Sequence, residues 1–180
     1  MLSQKMQEAL NNHINAEYYS SYMYLAMSAY CEKINLKGFA NWFRVQSAEE
    51  MIHVTKFFDY VLDRRGEVTL KPIQGPPTSW DSAQAVFEAA LKHEQHVTTL
   101  IYGLADLAIA EKDHATHNLL EWFLEEQVEE EAAADQILQD IKLAGAAQTG
   151  LYLIDRDLSS RSFTAVPGVN YPPSASGKIG

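Results

Sequence analysis

Residues 48–58 read AEEMIHVTKFF. The helix that contains them carries an apolar stripe of Phe39, Phe43, Phe57 and Val61, and Glu50 and His53 fall on that same stripe. A carboxylate taken out of water without a partner costs several kcal/mol or changes its protonation state. The stretch therefore raises two questions at once: what packs against this stripe, and what compensates its acid.

Length and charge narrow both. A chain of 180 residues can close one well-buried core, so a single domain is expected over 1–161, followed by a Pro/Gly/Ser-rich tail at 162–180. A hydrophobic share of 47% with 21% charged residues indicates a globular protein. The net charge of −10 argues against a nucleic-acid groove, which needs a basic face, and is compatible with binding cations. Cys31 is the only cysteine, so neither an intrachain disulfide nor a thiolate zinc cluster can form, and it is expected as a small apolar residue near a helix end. The N-terminus has no apolar signal core, and no run approaches ~18 apolar residues; a cytoplasmic protein is expected.

Working outward from residues 48–58, helical periodicity covers four long stretches. The first runs from about Ser3, a capping residue, to Glu32, with Met6, Leu10, Ile14, Ser21, Leu25 and Ser28 on one face. The second runs from about Leu36 to Arg65, with Asn35 as N-cap, arginines in the last turn and Gly66 at the left-handed position. The third follows PPTSWD, where Thr78 and Asp81 have capping-box spacing, and reaches about Ala110, with Phe87, Leu91, Val97, Ile101 and Leu104 inward. The fourth follows Asp113 and ends at about Leu143, closed by Gly145; its stripe is Leu120, Phe123, Ala134, Ile137 and Ile141. Leu151, Ile154 and Leu158 predict a short fifth helix. The class is all-α.

Short breaks near Asn35 and Asp113 predict two antiparallel hairpins. Between them the prolines of EVTLKPIQGPPTS forbid a helix. That segment, extended, spans up to ~45 Å, which matches a helix of about thirty residues. The expectation is a four-helix bundle with one long crossover between its second and third helices.

The interrupted stripe of residues 48–58 is repeated on every long helix. Glu17 lies between Ile14 and Ser21, Glu94 between Leu91 and Val97, and Gln127 with Glu130 between Phe123 and Ala134. Each interruption falls near the middle of its helix, so Glu17, Glu50, His53, Glu94 and Glu130 should converge in one layer. A single such Glu is more often a solvated residue on a misjudged face; four at matching heights are not. So many acids with one imidazole call for bound cations, and oxygen ligands plus one nitrogen suit iron, manganese or zinc. Glu50 and His53, at i and i+3, can share an ion, and Glu50 can bridge to a second.

The sequence resembles the ferritins, in particular the haem-free bacterial and cyanobacterial type. The resemblance is carried by HINAEYYSSYMYLAMSAYC, GFANWFRVQSAEEMIHVTKFFDYV, Glu94 in KHEQHV, and EWFLEEQVEEE, and extends to about Arg161. It implies a di-iron ferroxidase centre, with Glu17, Glu50 and His53 on the first iron and Glu94 and Glu130 on the second. It also implies a third iron site at Glu49, Glu126, Glu129 and Glu130, the bland alternative being a solvated acidic face. Tyr24 matches a tyrosine near the centre that donates an electron or a hydrogen bond, or else is a core tyrosine; Gln127 is expected to orient a ligand or water.

The chain departs from the di-iron oxygenase and haem-containing ferritin pattern where a second Glu-x-x-His would stand, having Gln127 and Glu130 instead. The second site should then be weaker, which favours iron as a passing substrate. Met51 occupies the axial-methionine position of haem-containing ferritins and is expected to serve packing, with no haem; His114 and His117 are expected on an exposed polar turn. The function implied is Fe2+ oxidation by O2 or peroxide and storage of the ferric mineral in a 24-subunit homo-oligomeric shell, with no nucleic-acid or membrane partner. A di-iron redox enzyme and a metal-free helical interaction module are the competing readings.

Overall fold

The computed structural model describes residues 1–145 and 147–163; the remainder of the expected tail lies outside the described residues. Five helices follow in order: α1 Gln4–Lys33, α2 Lys37–Asp63, α3 Ala83–Glu111, α4 His114–Ala144 and α5 Gln148–Leu158. Among the described residues there is no strand. The four long helices form a bundle in which α1 pairs with α2, α3 with α4 and α1 with α3, while α5 lies across α2 and α4.

Caps account for several boundaries. Ser3 accepts from the Met6 amide and Asp113 from the Thr116 amide, each satisfying a first-turn N–H that the helix leaves open. Three expected caps are corrected. The cap of α3 is Ser82, which accepts from the Ala85 amide, and not the Thr78–Asp81 pair, although the helix does begin directly after PPTSWD. Asn35 does not cap α2. It takes a left-handed conformation (φ 62°) in the turn before it, a geometry asparagine tolerates, and Leu36 is the N-cap with no side-chain bond. The missing cap comes from α5: Asp155 Oδ1 accepts from the Gly38 and Phe39 amides at 2.8 and 3.1 Å. At the other end of α2, Arg65 (φ 59°) and not Gly66 is left-handed, and the arginines follow the helix rather than lie in its last turn. Gly66 is small for a different reason, since a Cβ there would come within 3.0 Å of Val61 and of the Gln7 side chain.

The crossover runs the length of α1. At its start Glu67 N donates to Gln7 Oε1 (2.9 Å), and Asn11 both donates to Glu67 O (2.9 Å) and accepts from Thr69 N (2.8 Å). At its end Trp80 meets Tyr30 edge-on, with ring centroids 5.5 Å apart. Asn11 and Tyr30 are near opposite ends of α1, so α3 begins back where α2 began.

The interior consists of two apolar clusters. One contains Met27, Phe39, Phe43, Phe87 and Ile141; the other contains Leu10, Phe57, Ile101, Leu120 and Phe123, with Phe57 stacked on Phe123 at 4.0 Å. The expected stripes lie inward with one correction. Leu25 is 47% exposed, and Tyr24 takes the inward position beside it. Between the two clusters lies a polar layer.

Candidate metal centre

The polar layer is built by one residue or pair from each long helix: Glu17 from α1, Glu50 and His53 from α2, Glu94 from α3, and Gln127 and Glu130 from α4. Glu17, Glu50 and Glu94 are each 1% exposed, and His53 and Gln127 are also buried. Two groups of potential ligand atoms result, each with its atoms within 4.8 Å of one another: Glu17, Glu50 and His53, and Glu50, Glu94 and Glu130. Glu50 belongs to both.

The layer is under-satisfied in a way that suits cations. His53 Nδ1 lies 3.1 Å from Glu50 Oε2 and 3.8 Å from Glu17 Oε2. His13 Nε2 lies 2.8 Å from Glu17 Oε1, yet off the direction of a hydrogen bond, so both Glu17 oxygens are buried without a hydrogen-bond partner. Glu130, half-buried as a residue, has its Oε2 enclosed and equally unpartnered. Buried acceptors left open cost on the order of 1–3 kcal/mol each. Glu94 is held from two sides: the Tyr24 hydroxyl donates to Oε1, and Gln127 Nε2 lies 3.3 Å from Oε2 and 3.2 Å from the Glu94 carbonyl.

Electrostatics divide the acids. Burial pushes the Glu50 and Glu94 carboxyls up to about 8. Burial, then repulsion from Glu94 and Glu50, holds Glu130 well above the ordinary carboxyl range. Burial would raise Glu17 too, but attraction to the His13 and His53 rings outweighs it and holds that carboxyl well below its usual value. For His53, burial opposes the charged form, and the surrounding carboxylates Glu130, Glu17 and Glu50 overcome it, raising the ring well above its usual value. Without a metal, protons neutralise what a divalent cation would otherwise neutralise. Carboxylate oxygens with one imidazole nitrogen, open buried acceptors and one shared carboxylate fit a pair of such cations.

A family model for the ferritin-like domain matches residues 7–144. The chain belongs to the ferritin family. Its relatives include the bacterial non-heme ferritin of Bacteroides fragilis (strain 638R), 45% identical over 161 residues that cover 89% of this chain and 100% of that protein. The bacterial non-heme ferritin of Staphylococcus aureus (strain MRSA252) is 39% identical over 163 residues, 91% of this chain and 98% of that protein. Among solved structures, an open-pore ferritin from the hyperthermophilic archaeon Archaeoglobus fulgidus superposes with a TM-score of 0.89 at 48% identity, covering 90% of this chain and 100% of that one. A closed form of the A. fulgidus ferritin, engineered by mutagenesis, gives 0.90 at 49%, covering 91% and 100%.

On this ferritin-family chain the further expected residues take distinct positions. Glu49, Glu126, Glu129 and Glu130 line one cleft of roughly 430 Å³ between α2 and α4, with His53 in its wall. Tyr24 is fully buried, stacked on Phe43 as well as bonded to Glu94. Met51 is 40% exposed, so the expected packing role is corrected: on α2 it points away from the interior that Glu50 enters. His114 is exposed and His117 half-buried, the latter 4.0 Å from Glu121.

Sequence reasoning missed three polar residues at this site. His13 precedes Glu17 by one helical turn, and that spacing alone could have placed it beside Glu17. His93 is half-buried, is pushed down to about 4 by desolvation, lies 2.8 Å from Ser20 Oγ, and meets the Tyr24 ring edge-on. Arg161 reaches the cleft from beyond α5, more than a hundred residues from its partners, and no local pattern announces that.

Proposed function

We propose that this chain is an iron-storage ferritin subunit that oxidises Fe2+ at its mid-bundle carboxylate layer. The observation that carries the reading is Glu50, the one carboxylate common to both ligand groups. Two Fe2+ ions are the substrates. Glu17, Glu50 and His53 would hold one, and Glu50, Glu94 and Glu130 the other. O2 is the electron acceptor and Fe3+ the product.

The chain's own residues do three things. Anionic oxygens favour the more highly charged product, because Coulomb attraction grows with the ion's charge. The Tyr24 hydroxyl and the Gln127 amide fix the orientation of Glu94. The stacked pair Phe57–Phe123 closes one end of the layer and Phe43 the other, which leaves the cleft beside His53 and Glu130 as the way in. The second group has an amide, Gln127, where a second imidazole would make a tighter hold. That supports iron as cargo in transit over a permanently resident di-iron cofactor, which the competing reading of a redox enzyme requires.

Storage needs a container, and the family resemblance supports a 24-subunit shell. The third iron site at Glu49, Glu126, Glu129 and Glu130 is part of this proposal, as is a cytoplasmic location. Among the described residues no helix is long and apolar enough to cross a membrane.

The decisive measurement is aerobic Fe2+ addition followed by near-ultraviolet absorbance. Glu50→Ala and His53→Ala should each lower the initial rate by more than ~tenfold, the scale seen when a metal ligand's support is lost. Equal rates in all three proteins would reject the assignment. Size-exclusion chromatography checks the container: a monomer or dimer would oppose storage.

A further inference from the structure

Arg161 lies in the five described residues that follow α5. Asn41 Nδ2 anchors this stretch by donating to the carbonyls of Leu158 (3.2 Å) and Arg161 (2.8 Å). The side chain then turns onto α2. Its guanidinium lies over the Trp42 ring at 4.7 Å, and Nη2 donates to Gln46 Oε1 at 2.5 Å and to Glu49 Oε2 at 2.6 Å. It lines the same cleft as Glu49, Glu126, Glu129 and Glu130, and among the described residues that line it is the only Lys or Arg.

We infer that Arg161 is a tethered counter-cation of the outer acidic cleft, competing with a divalent ion for Glu49 and so limiting how tightly that ion is held. The inference rests on the reading of the cleft as a third metal site. Two observations beyond acid content point to a cation there: the enclosed, unpartnered Glu130 Oε2, and a guanidinium already seated on Glu49. A planar guanidinium stacked on an indole is held in place at small entropic cost. While it is there, the Glu49 oxygen it binds is partly spent, and a dication entering the cleft meets a like charge. An incoming ion must therefore displace Arg161 from Glu49 or be bound by fewer oxygens. Either way the outer site is kept weak, as suits a stop on a transit route.

The test uses the full, assembled, metal-stripped protein titrated calorimetrically with Zn2+, which has no redox chemistry to complicate binding. In wild type and Arg161→Gln the two tight ions should bind alike, whereas the third ion should bind about tenfold tighter in Arg161→Gln, the scale of one partly screened charge contact. Arg161→Lys, which keeps the charge, should stay within about twofold of wild type. Equal or weaker third-ion binding in Arg161→Gln, with the two tight ions intact, overturns the inference and leaves the inner centre standing. So does an Arg161→Lys that behaves like Arg161→Gln. A wild-type protein without two tight ions fails the inner centre and the inference together.

Discussion

At pH 7 a metal-free protein should carry protons on Glu50 and Glu94, since burial has pushed both carboxyls up to about 8. A cation that binds them must expel those protons. Zn2+ titrations at pH 7 in buffers of different ionisation heat should therefore report net proton release, and the release should shrink as pH rises above 8, where the acids are already ionised. Proton release that does not change between pH 7 and 9 would contradict the protonated layer. His13 makes a second residue-level case. It adjoins Glu17 without a true hydrogen bond, so its contribution is electrostatic and positional. His13→Ala should weaken tight-site Zn2+ binding on the order of tenfold, while His13→Gln, restoring a donor of similar reach, should recover most of it. The acids and the imidazole of the layer were legible because each broke an apolar period that the rest of its helix obeyed. His13 breaks one too, but a lone histidine on an apolar face is common in protein interiors, so the pattern by itself does not single it out.

Among the elements, α2 is the one whose start could not be read locally. Its N-cap Leu36 supplies no side-chain bond, and Asp155 of α5 serves instead. Helix starts at Ser3 and Asp113 were legible because cap and capped amide are three residues apart; Asp155 and Gly38 are separated by most of the chain. The same contact explains Gly38. A Cβ there would sit 1.5 Å from the Asp155 carbonyl oxygen, so α5 can seat on α2 only over a glycine. Gly38→Ala should lift α5 away, destabilise the subunit by about 1–3 kcal/mol as an overpacked contact, and be detectable as a lower denaturation midpoint. An unchanged midpoint would mean that α5 adds nothing to the subunit's stability. The other end of α2 is tied to α4 by the two-pronged Arg64–Asp113 pair, at 3.0 and 3.1 Å, so one helix is fixed at both tips by charges from elsewhere.

For the whole molecule, the topology was legible because turn chemistry and the reach of an extended chain left one arrangement; which face of α1 the crossover covers was not, since Asn11 and Gln7 have no distinctive pattern. The polar layer sets the response to pH. Glu50 and Glu94 have folded values near 8 against an ordinary 4.5, so the folded state binds more protons than the unfolded one. Their stabilisation is full below about pH 4.5 and is lost as pH rises toward 8. His53, also raised, acts in the same direction. His93, depressed to about 4, acts oppositely, but only below its ordinary 6.5. Glu130, also raised, adds to the same trend. Between pH 6.5 and 8 the metal-free subunit should thus lose on the order of 3 kcal/mol of stability from Glu50 and Glu94 alone, measured by denaturant titration, and bound Zn2+ should abolish the loss. A metal-free protein equally stable at both pH values would refute the layer's charge state. A rod whose greasy filling stops halfway along has its weakest cross-section at the waist and not at its tips. Whatever ions lodge there act as rivets, so each subunit would stiffen as it fills and slacken as it empties, its rigidity a running record of its load.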